Sequence, residues 1–421
     1  MQDEPNLCPS LSQGDVHAPG DRTGPHRGDH EGAPEHVLPD RARPPRRPAV
    51  TDPRSGSATG AENAFAGFGL PGEPGSDEFW AAARTPVSVP ADGGGWLTLF
   101  LWRGSRAVID FESWSPPVPL RRWAGTDCWY AEVRMPARLR VTYRLIVGDA
   151  AHADPFNPVG AGGDRSIAAT PDAPDQPHWP ALGSGTDVVL PLPRARLRWT
   201  SERLGGRRTV RVHPAGGGGP VVLLLDGDDW LHLHPAMTAF DSAVAVGEMP
   251  AVTLVFLPAK DRQAEFGCRP ELWEGVRDEL LPLVAESGVP ADPDRLVVAG
   301  QSLGGLSALY AALEFPDLVS RVACQSASFW WTPGAMDRTD PLGGPVGGAI
   351  AARLRRSPDL SRLRCAFDVG EHETRMLPHC ELAETLTEQA GATVRVSRSA
   401  SDHDRAGWRH ALLRDVAWAL A

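Results

Sequence analysis

Residues 297–316 read VVAGQSLGGLSALYAALEFP, and the fold turns on them. An apolar run ends at Gly300, Gln301, Ser302 and Leu303 follow, and beyond Gly304 the residues Leu306, Leu309, Tyr310 and Leu313 recur at helical spacing. A serine between two glycines where a strand turns into a helix is the Gly-x-Ser-x-Gly arrangement, in which a sharp turn holds a hydroxyl out as a nucleophile. Glycine is needed on either side because a larger residue would not fit the turn. A solvated serine in an ordinary tight turn is the alternative, and the flanking sequence has to decide between them.

Other continuous apolar runs, PVVLLLDG (220–227), AVTLVFL (251–257) and RLVVAG (295–300), fit strands buried on both faces of a parallel sheet. Helical segments lie between them, among them PELWEGVRDELLPLVAESG (270–288), with Pro near its start and Gly at its end. Strands alternating with helices make an α/β sheet of doubly wound type, and RARLRWTSERLGGRRTVRVHPA (194–215) adds two antiparallel strands. Ahead of this, WLTLFLW (96–102), AVIDF (107–111), WYAEVRM (129–135) and RVTYRLIV (140–147) are short strands with Gly and Pro punctuation, the pattern of an antiparallel sandwich. ADPFNPVGAGGD (153–164) and the Pro-rich sequence to Pro180 read as an exit loop and linker. Residues 1–75, rich in Pro, Gly, His, Asp and Arg, have AFAGFGL near Phe65 as their longest apolar patch and read as a disordered extension. The expected organisation is therefore an extension (1–75), a β-sandwich domain (76–180) and an α/β catalytic domain (181–421).

A formal net charge of −11 argues against nucleic acid or an anionic membrane as the main partner and says little about a small-molecule one. Six scattered cysteines without a C-x-x-C pair speak against a zinc ribbon or a dense disulfide framework and for a reducing cytoplasm. The N-terminus has neither a basic n-region nor an apolar h-region, and no stretch approaches the ~18 apolar residues of a membrane span. Export and membrane insertion are not expected. Oligomeric state is open.

The strand before Ser302 and the helix after it favour the nucleophile reading. In this fold the partners follow in the order Ser, acid, His. RCAFDVGEHETRML (364–377) offers a strand ending at Gly370 and three acids, of which Glu373 is favoured because the exit loop can turn it back; Asp368 and Glu371 stay open. His403, in the loop between TVRVSRS (393–399) and the last helix, stands where the base is needed. His410 reads as a surface residue of that helix, and His372 and His379 as solvated. The oxyanion donors would be the backbone N–H of Leu303 and those of the loop after VVLLLDG, at Gly227 and Asp228. His232 and His234 have the alternate spacing of two ligands on one strand face, but no third ligand has zinc-like spacing, so no metal and no cofactor are expected. Trp230, Trp273, Phe329, Trp330, Trp331 and Trp408 read as core or rim, with an aromatic-lined pocket as the second reading.

With these residues in place, the chain resembles the enterochelin esterases over about Ser76 to Ala421. The resemblance rests on EFW (78–80), FLWRG (100–104), RWAGTDCWY (122–130), ADPFNP (153–158), DRQAEFGCRPELWEGVRDELLPLV (261–284), CQSASFWW (324–331) and HDRAGWRHAL (403–412), besides the serine stretch. It implies an immunoglobulin-like sandwich ahead of an α/β-hydrolase domain. The activity implied is hydrolysis of the ester backbone of a ferric catecholate siderophore, in the cytoplasm and without a cofactor. Ser302, His403 and Glu373 are then nucleophile, base and acid. Arg262 and Arg269 become candidates for binding the anionic substrate, or partners of Glu265 in a structural ion pair, and Trp330 lines the same pocket. A general carboxylesterase or acyl hydrolase, and a non-catalytic siderophore-binding protein, are the competing expectations.

Overall fold

The computed structural model describes residues 65–182, 191–356 and 358–421. Its first strands are β1 (Val87–Pro90), β2 (Trp96–Arg103), β3 (Val108–Phe111), β4 (Val118–Pro119) and β5 (Arg121–Arg122). They are followed by β6 (Cys128–Met135), β7 (Arg140–Val147), β8 (Ala150–His152), β9 (Gly160–Gly162) and β10 (Arg165–Ala169). One sheet has the order β1-β2-β6-β5 and the other β4-β3-β7-β10-β9, with β8 added to β7. Phe100 of β2 and Ala131 and Val133 of β6 share a core with Ile109, Val141, Tyr143 and Leu145, so the two sheets face each other. Successive side chains of a strand point to opposite faces, and Leu99 and Leu101 accordingly pack outward, against Phe65, Leu70, Phe79 and Trp80.

That outward packing corrects the expected extension. Both faces of WLTLFLW are apolar, so the sheet needs a cover, and FAGFGL (65–70) with α1 (Asp77–Ala82) supplies it. The described structure therefore takes in residues 65–75 of the stretch expected to be disordered; the rest of that expectation, residues 1–64, lies outside the described residues. ADPFNPVGAGGD is not an exit loop either. Asp154 accepts from Thr85 Oγ1 (3.0 Å) and Tyr143 Oη (2.7 Å), Asn157 Nδ2 donates to the Ile167 carbonyl (2.8 Å), and the chain turns back into β9 and β10.

The second half holds β11 (Ala195–Thr200), β12 (Arg207–Ala215), β13 (Gly219–Leu225), β14 (Val252–Leu257), β15 (Ala291–Gln301), β16 (Arg321–Gln325), β17 (Arg364–Gly370) and β18 (Thr393–Ser399). They form one eight-stranded sheet, β11-β12-β14-β13-β15-β16-β17-β18. β11, β12 and β14 pair antiparallel in turn, and every pairing from β14 to β18 is parallel. The helices are α2 (Gly227–His232), α3 (Ala236–Ala245), α4 (Arg262–Phe266), α5 (Pro270–Gly275), α6 (Leu281–Ala285), α7 (Leu303–Glu314), α8 (Gly348–Leu354), α9 (Leu377–Gln389) and α10 (Arg405–Leu420). The helix expected over 270–288 is α5 and α6 joined by a π-turn at Val276–Leu280. Pro282 has no N–H for the carbonyl four residues back, and such a gap favours the wider turn.

Both faces of this sheet are covered. Val221, Leu223 and Leu225 join a core with α5, α7 and α9, while Val222 and Leu224 join one with α3 and α10. Full burial of each such side chain contributes about 1.5–3 kcal/mol. Among the described residues, no helix is long and apolar enough to cross a membrane.

Helix α10 is buried nearly all round and packs against β15, β16 and β17 as well as β7. His410, expected at the surface, is half-buried there, and burial pulls its imidazole down. His379 is also buried, accepting from Gly347 N–H (3.0 Å), and His372 is half-buried with its Nε2 unpartnered. Asp415 is fully buried, accepts from Arg414 Nε (3.2 Å) and leaves Oδ2 without a partner. Burial pushes its carboxyl up to about 7, against the pull of Arg414. A carboxyl raised in the folded state makes a contribution that is fully present below its unfolded pKa of about 4 and lost as pH rises through about 7. Asp415→Asn is thus expected to raise the thermal midpoint at pH 8.5 by about 2–4 °C and at pH 5 by less than half as much. Calorimetry at the two pH values checks this; equal shifts at both would remove the burial argument.

Candidate active site

Ser302 lies between the end of β15 and the start of α7 with φ 56° and ψ −120°, a conformation L-residues rarely adopt and one that stores about 1–3 kcal/mol. A β-carbon on Gly300 would collide with the Gly304 backbone, so the turn closes only with glycine there. Ser302 N–H donates to the Gln325 carbonyl (3.0 Å), and its own carbonyl accepts from Leu306 (3.1 Å) and Ser328 (2.9 Å). The side chain is half-buried, with Oγ 3.1 Å from Ser328 Oγ.

β13 pairs directly with β15, Leu224 opposite Ala299, and the strand order reverses there, so the loop after β13 ends beside the serine turn. Such a switch point is where open α/β sheets bind ligands. Gly227 opens α2 in that loop, and a β-carbon on it would strike the backbone of Phe256 and Leu257. The first N–H groups of α2 and α7, at Gly227, Asp228 and Leu303, have no acceptor within their helices.

β17 and β18 are neighbours, and their exits bring Glu373 and His403 together. His403 Nδ1 donates to Glu373 Oε2 at 2.7 Å, which leaves Nε2 as the acceptor. Glu373 is 4% exposed, and its Oε1 accepts from Gly370 N–H (2.9 Å) and from Ser326 Oγ. The competing acids are elsewhere: Asp368 accepts from Ser397 Oγ (2.8 Å) and Ser399 Oγ (3.0 Å), and Glu371 is exposed. The structure pairs acid with imidazole; Ser302 Oγ faces Ser328 and makes no hydrogen bond to His403.

At the rim, Arg262 binds Asp226 through Nε (2.7 Å) and Nη2 (2.8 Å) and remains 36% exposed at its side chain. Arg269 is 3.4 Å from Glu271. Neither arginine pairs with Glu265, which is buried in a two-pronged contact with Arg208 (2.7 and 3.1 Å). Trp330 is buried with Ala335 and Met376, just beyond the Glu373 turn. His232 and His234 are not on a strand: His232 ends α2 at the surface, and His234 is buried against Arg409, with burial holding its imidazole well below the ordinary range. A cleft of about 520 Å³ between residues 175–179 and α10 contains none of Ser302, Glu373 and His403.

Sequence reasoning missed the groups that tie these loops together. Trp230 Nε1 donates to Gln301 Oε1 (2.8 Å), Gln301 Nε2 to Gln325 Oε1 (2.8 Å), and Gln325 Nε2 to the Trp408 carbonyl (2.9 Å). Trp408 then donates to Ser326 Oγ (2.7 Å), and its ring stands edge-on to His403 at 5.0 Å. Asp402 Oδ1 accepts from His403 N–H (2.8 Å), and burial pushes this carboxyl up to about 6. Gln301, Gln325, Ser326 and Trp408 lay within the quoted motifs, which was their one signal; Trp230 and Asp402 lay outside them.

A strained serine turn at a sheet switch point, two helix N-termini beside it and a buried carboxylate–imidazole pair suit acyl transfer, and they define a carboxylic ester hydrolase of α/β-hydrolase type. Residues 201–419 match the family model described as "Putative esterase". The iron(III) enterobactin esterase of Dickeya dadantii is 30% identical over 413 residues, covering 82% of this chain and 93% of that protein. The iron(III) enterobactin esterase of Escherichia coli K12 is 28% identical, covering 75% and 85%. The Shigella flexneri enterobactin esterase crystallised in the presence of enterobactin superposes with a TM-score of 0.70 at 26% identity, covering 81% and 97%. The chain belongs to this esterase family, among the iron(III) enterobactin esterases.

Proposed function

We propose that this esterase hydrolyses the ester backbone of a ferric catecholate siderophore such as enterobactin, releasing iron in the cytoplasm. The observation that carries this reading is likeness across 93% of the Dickeya enzyme, spanning the front sheets as well as the catalytic sheet. The front sheets, residues 76–180, are read as an immunoglobulin-like domain ahead of a catalytic domain at 181–421. Iron enters as part of the substrate.

In the proposed mechanism Ser302 Oγ rotates from Ser328 to His403 Nε2 and attacks a lactone carbonyl as Nε2 takes its proton. The oxyanion is held by the N–H groups of Leu303 and of Gly227 or Asp228. The ester C–O bond breaks, the leaving alkoxide takes the proton from His403, and an acyl-Ser302 remains. Water then attacks as His403 removes its proton, the carboxylic acid leaves, and Ser302 regains its hydrogen. Arg262, Arg269 and Trp330 line the approach for the anionic catecholates.

Arg262 and Arg269 already pair with Asp226 and Glu271, and this favours a second reading, a general carboxylesterase. Chromatography of purified protein incubated with ferric enterobactin, iron-free enterobactin, the linear trimer and a simple aryl ester separates the two. Cleavage of the ferric trilactone at least ~10-fold faster than of the aryl ester is expected. An intact ferric trilactone beside a cleaved aryl ester would leave only the general esterase.

A further inference from the structure

His403 sits in the short loop from Ser399 to Arg405, and Glu373 holds only its ring. The backbone N–H of His403 is held locally by Asp402 Oδ1 (2.8 Å), and its carbonyl is held from the front sheets. The His403 carbonyl accepts from Ser113 Oγ at 3.0 Å. The next residue, Asp404, is 1% exposed and caps α10 by accepting from Ala406 N–H (2.7 Å). A cap needs one oxygen. Asp404 also takes Thr142 Oγ1 on Oδ1 (2.8 Å) and Thr142 N–H on Oδ2 (2.5 Å).

Those contacts are available because of where β3 stops. Phe111 is opposite Tyr143, and one step on, Glu112 N–H still donates to the Thr142 carbonyl (3.2 Å). In an antiparallel ladder the paired residue would return the second bond to Thr142 N–H. Here Asp404 takes that N–H instead, and Ser113, one residue further along the departing chain, reaches His403. The catalytic loop thus completes the edge that β3 vacates.

We propose that Thr142 and Ser113 are positioning residues for the esterase reaction, through which the front sheets hold His403 at the angle that aims its Nε2 at Ser302. The proposal rests on His403 being the base. It gives the front sheets a part in turnover rather than in substrate docking: a misplacement of about 1 Å lowers turnover by about 100-fold, and the loop's other backbone bonds, such as His372 N–H to the Ser401 carbonyl (3.1 Å) and Gly407 N–H to the Asp404 carbonyl (3.1 Å), do not reach the His403 carbonyl.

The test uses the full-length chain with an aryl ester, so that siderophore preference does not enter. Ser113→Ala, at an exposed hydroxyl, is expected to lower kcat about 3–10-fold, and Thr142→Val with Ser113→Ala about 10–100-fold, with KM within about 2-fold. Thr142→Ser, which keeps the hydroxyl, is expected to stay within about 3-fold of the parent. A merely structural role would lower the thermal midpoint and leave kcat per folded molecule unchanged. That result, or unchanged kcat in a folded Ser113→Ala and Thr142→Val pair, overturns the proposal. His403→Ala is the control: if it retains turnover, the base assignment fails first; if it loses turnover while the positioning variants do not, only the present inference fails.

Discussion

Ser302→Ala is expected to lower kcat/KM on an aryl ester by about 10⁴-fold or more while the protein stays folded. The size follows from the proposed chemistry: without Oγ no acyl-enzyme forms, and what remains is binding and oxyanion stabilisation around a water attack. Folding is spared because the unusual backbone belongs to the turn. Alanine and serine both carry a β-carbon, so the φ of 56° is no harder for one than for the other, and Gly300 still clears the Gly304 backbone. The one bond lost is that to Ser328 Oγ, worth about 1 kcal/mol. A midpoint within a few degrees of the parent is therefore expected. Ser328→Ala is the control, because it removes the same hydrogen bond and leaves the nucleophile. If Ser328→Ala abolishes turnover and Ser302→Ala does not, the roles of the two hydroxyls have to be exchanged.

Much of the catalytic sheet was legible because burial on two faces leaves a plain mark: PVVLLLDG has no polar alternation, and its residues divide between two cores. The serine turn was legible because glycine is forced at position 300. The second glycine of the motif was less informative than it looked. A β-carbon on Gly304 would meet Leu225 at an awkward 3.3 Å, whereas one on Gly305 would press on Ala327 at 2.7 Å, and Gly305 lies outside the pentapeptide.

The acid shows where sequence stops. Position after a strand favoured Glu373, but what separates it from Asp368 is that Ser397 and Ser399 on β18 occupy Asp368, and that depends on the register of two parallel strands distant in sequence. The bonds made by Ser326, Trp408 and Thr142 were not legible for the same reason, since each reaches across a gap in the chain that only the packed sheets close. The arginine rim went wrong in detail. Adjacent charges in DRQAEFGCR suggested local pairing, while Glu265 was claimed by Arg208, more distant in sequence and close in space. The cover segment at Phe65 was misread because its apolar content is low by itself; it is ordered by the outer face of β2.

Glu373→Gln is expected to lower kcat about 10³–10⁴-fold with KM little changed, and the reason lies in the donors around the carboxylate. Glu373 accepts from three groups, Gly370 N–H and Ser326 Oγ on one oxygen and His403 Nδ1 on the other. Glutamine has a single carbonyl oxygen. If that oxygen stays with Gly370 and Ser326, the amide NH₂ faces His403 and bonds only to an unprotonated Nδ1. The ring proton then moves to Nε2, which can no longer take the proton of Ser302. The reverse orientation sets the NH₂ against the Gly370 N–H in a site 4% exposed, where an unsatisfied donor costs about 1–3 kcal/mol, so the inactive tautomer is favoured. A wrong tautomer in an otherwise intact triad lowers turnover about 10⁴-fold. Glu373→Asp keeps the charge but shortens the reach to Nδ1, for an intermediate loss of about 10–100-fold. Asp368→Asn is expected to stay within about 3-fold of the parent, since that carboxylate serves β18 and Arg414 and not the base. Steady-state kinetics of the three variants, with proton NMR of the His403 Nδ1 resonance, decide the matter. A collapse of kcat in Asp368→Asn beside an active Glu373→Gln would transfer the acid's role to the strand carboxylate.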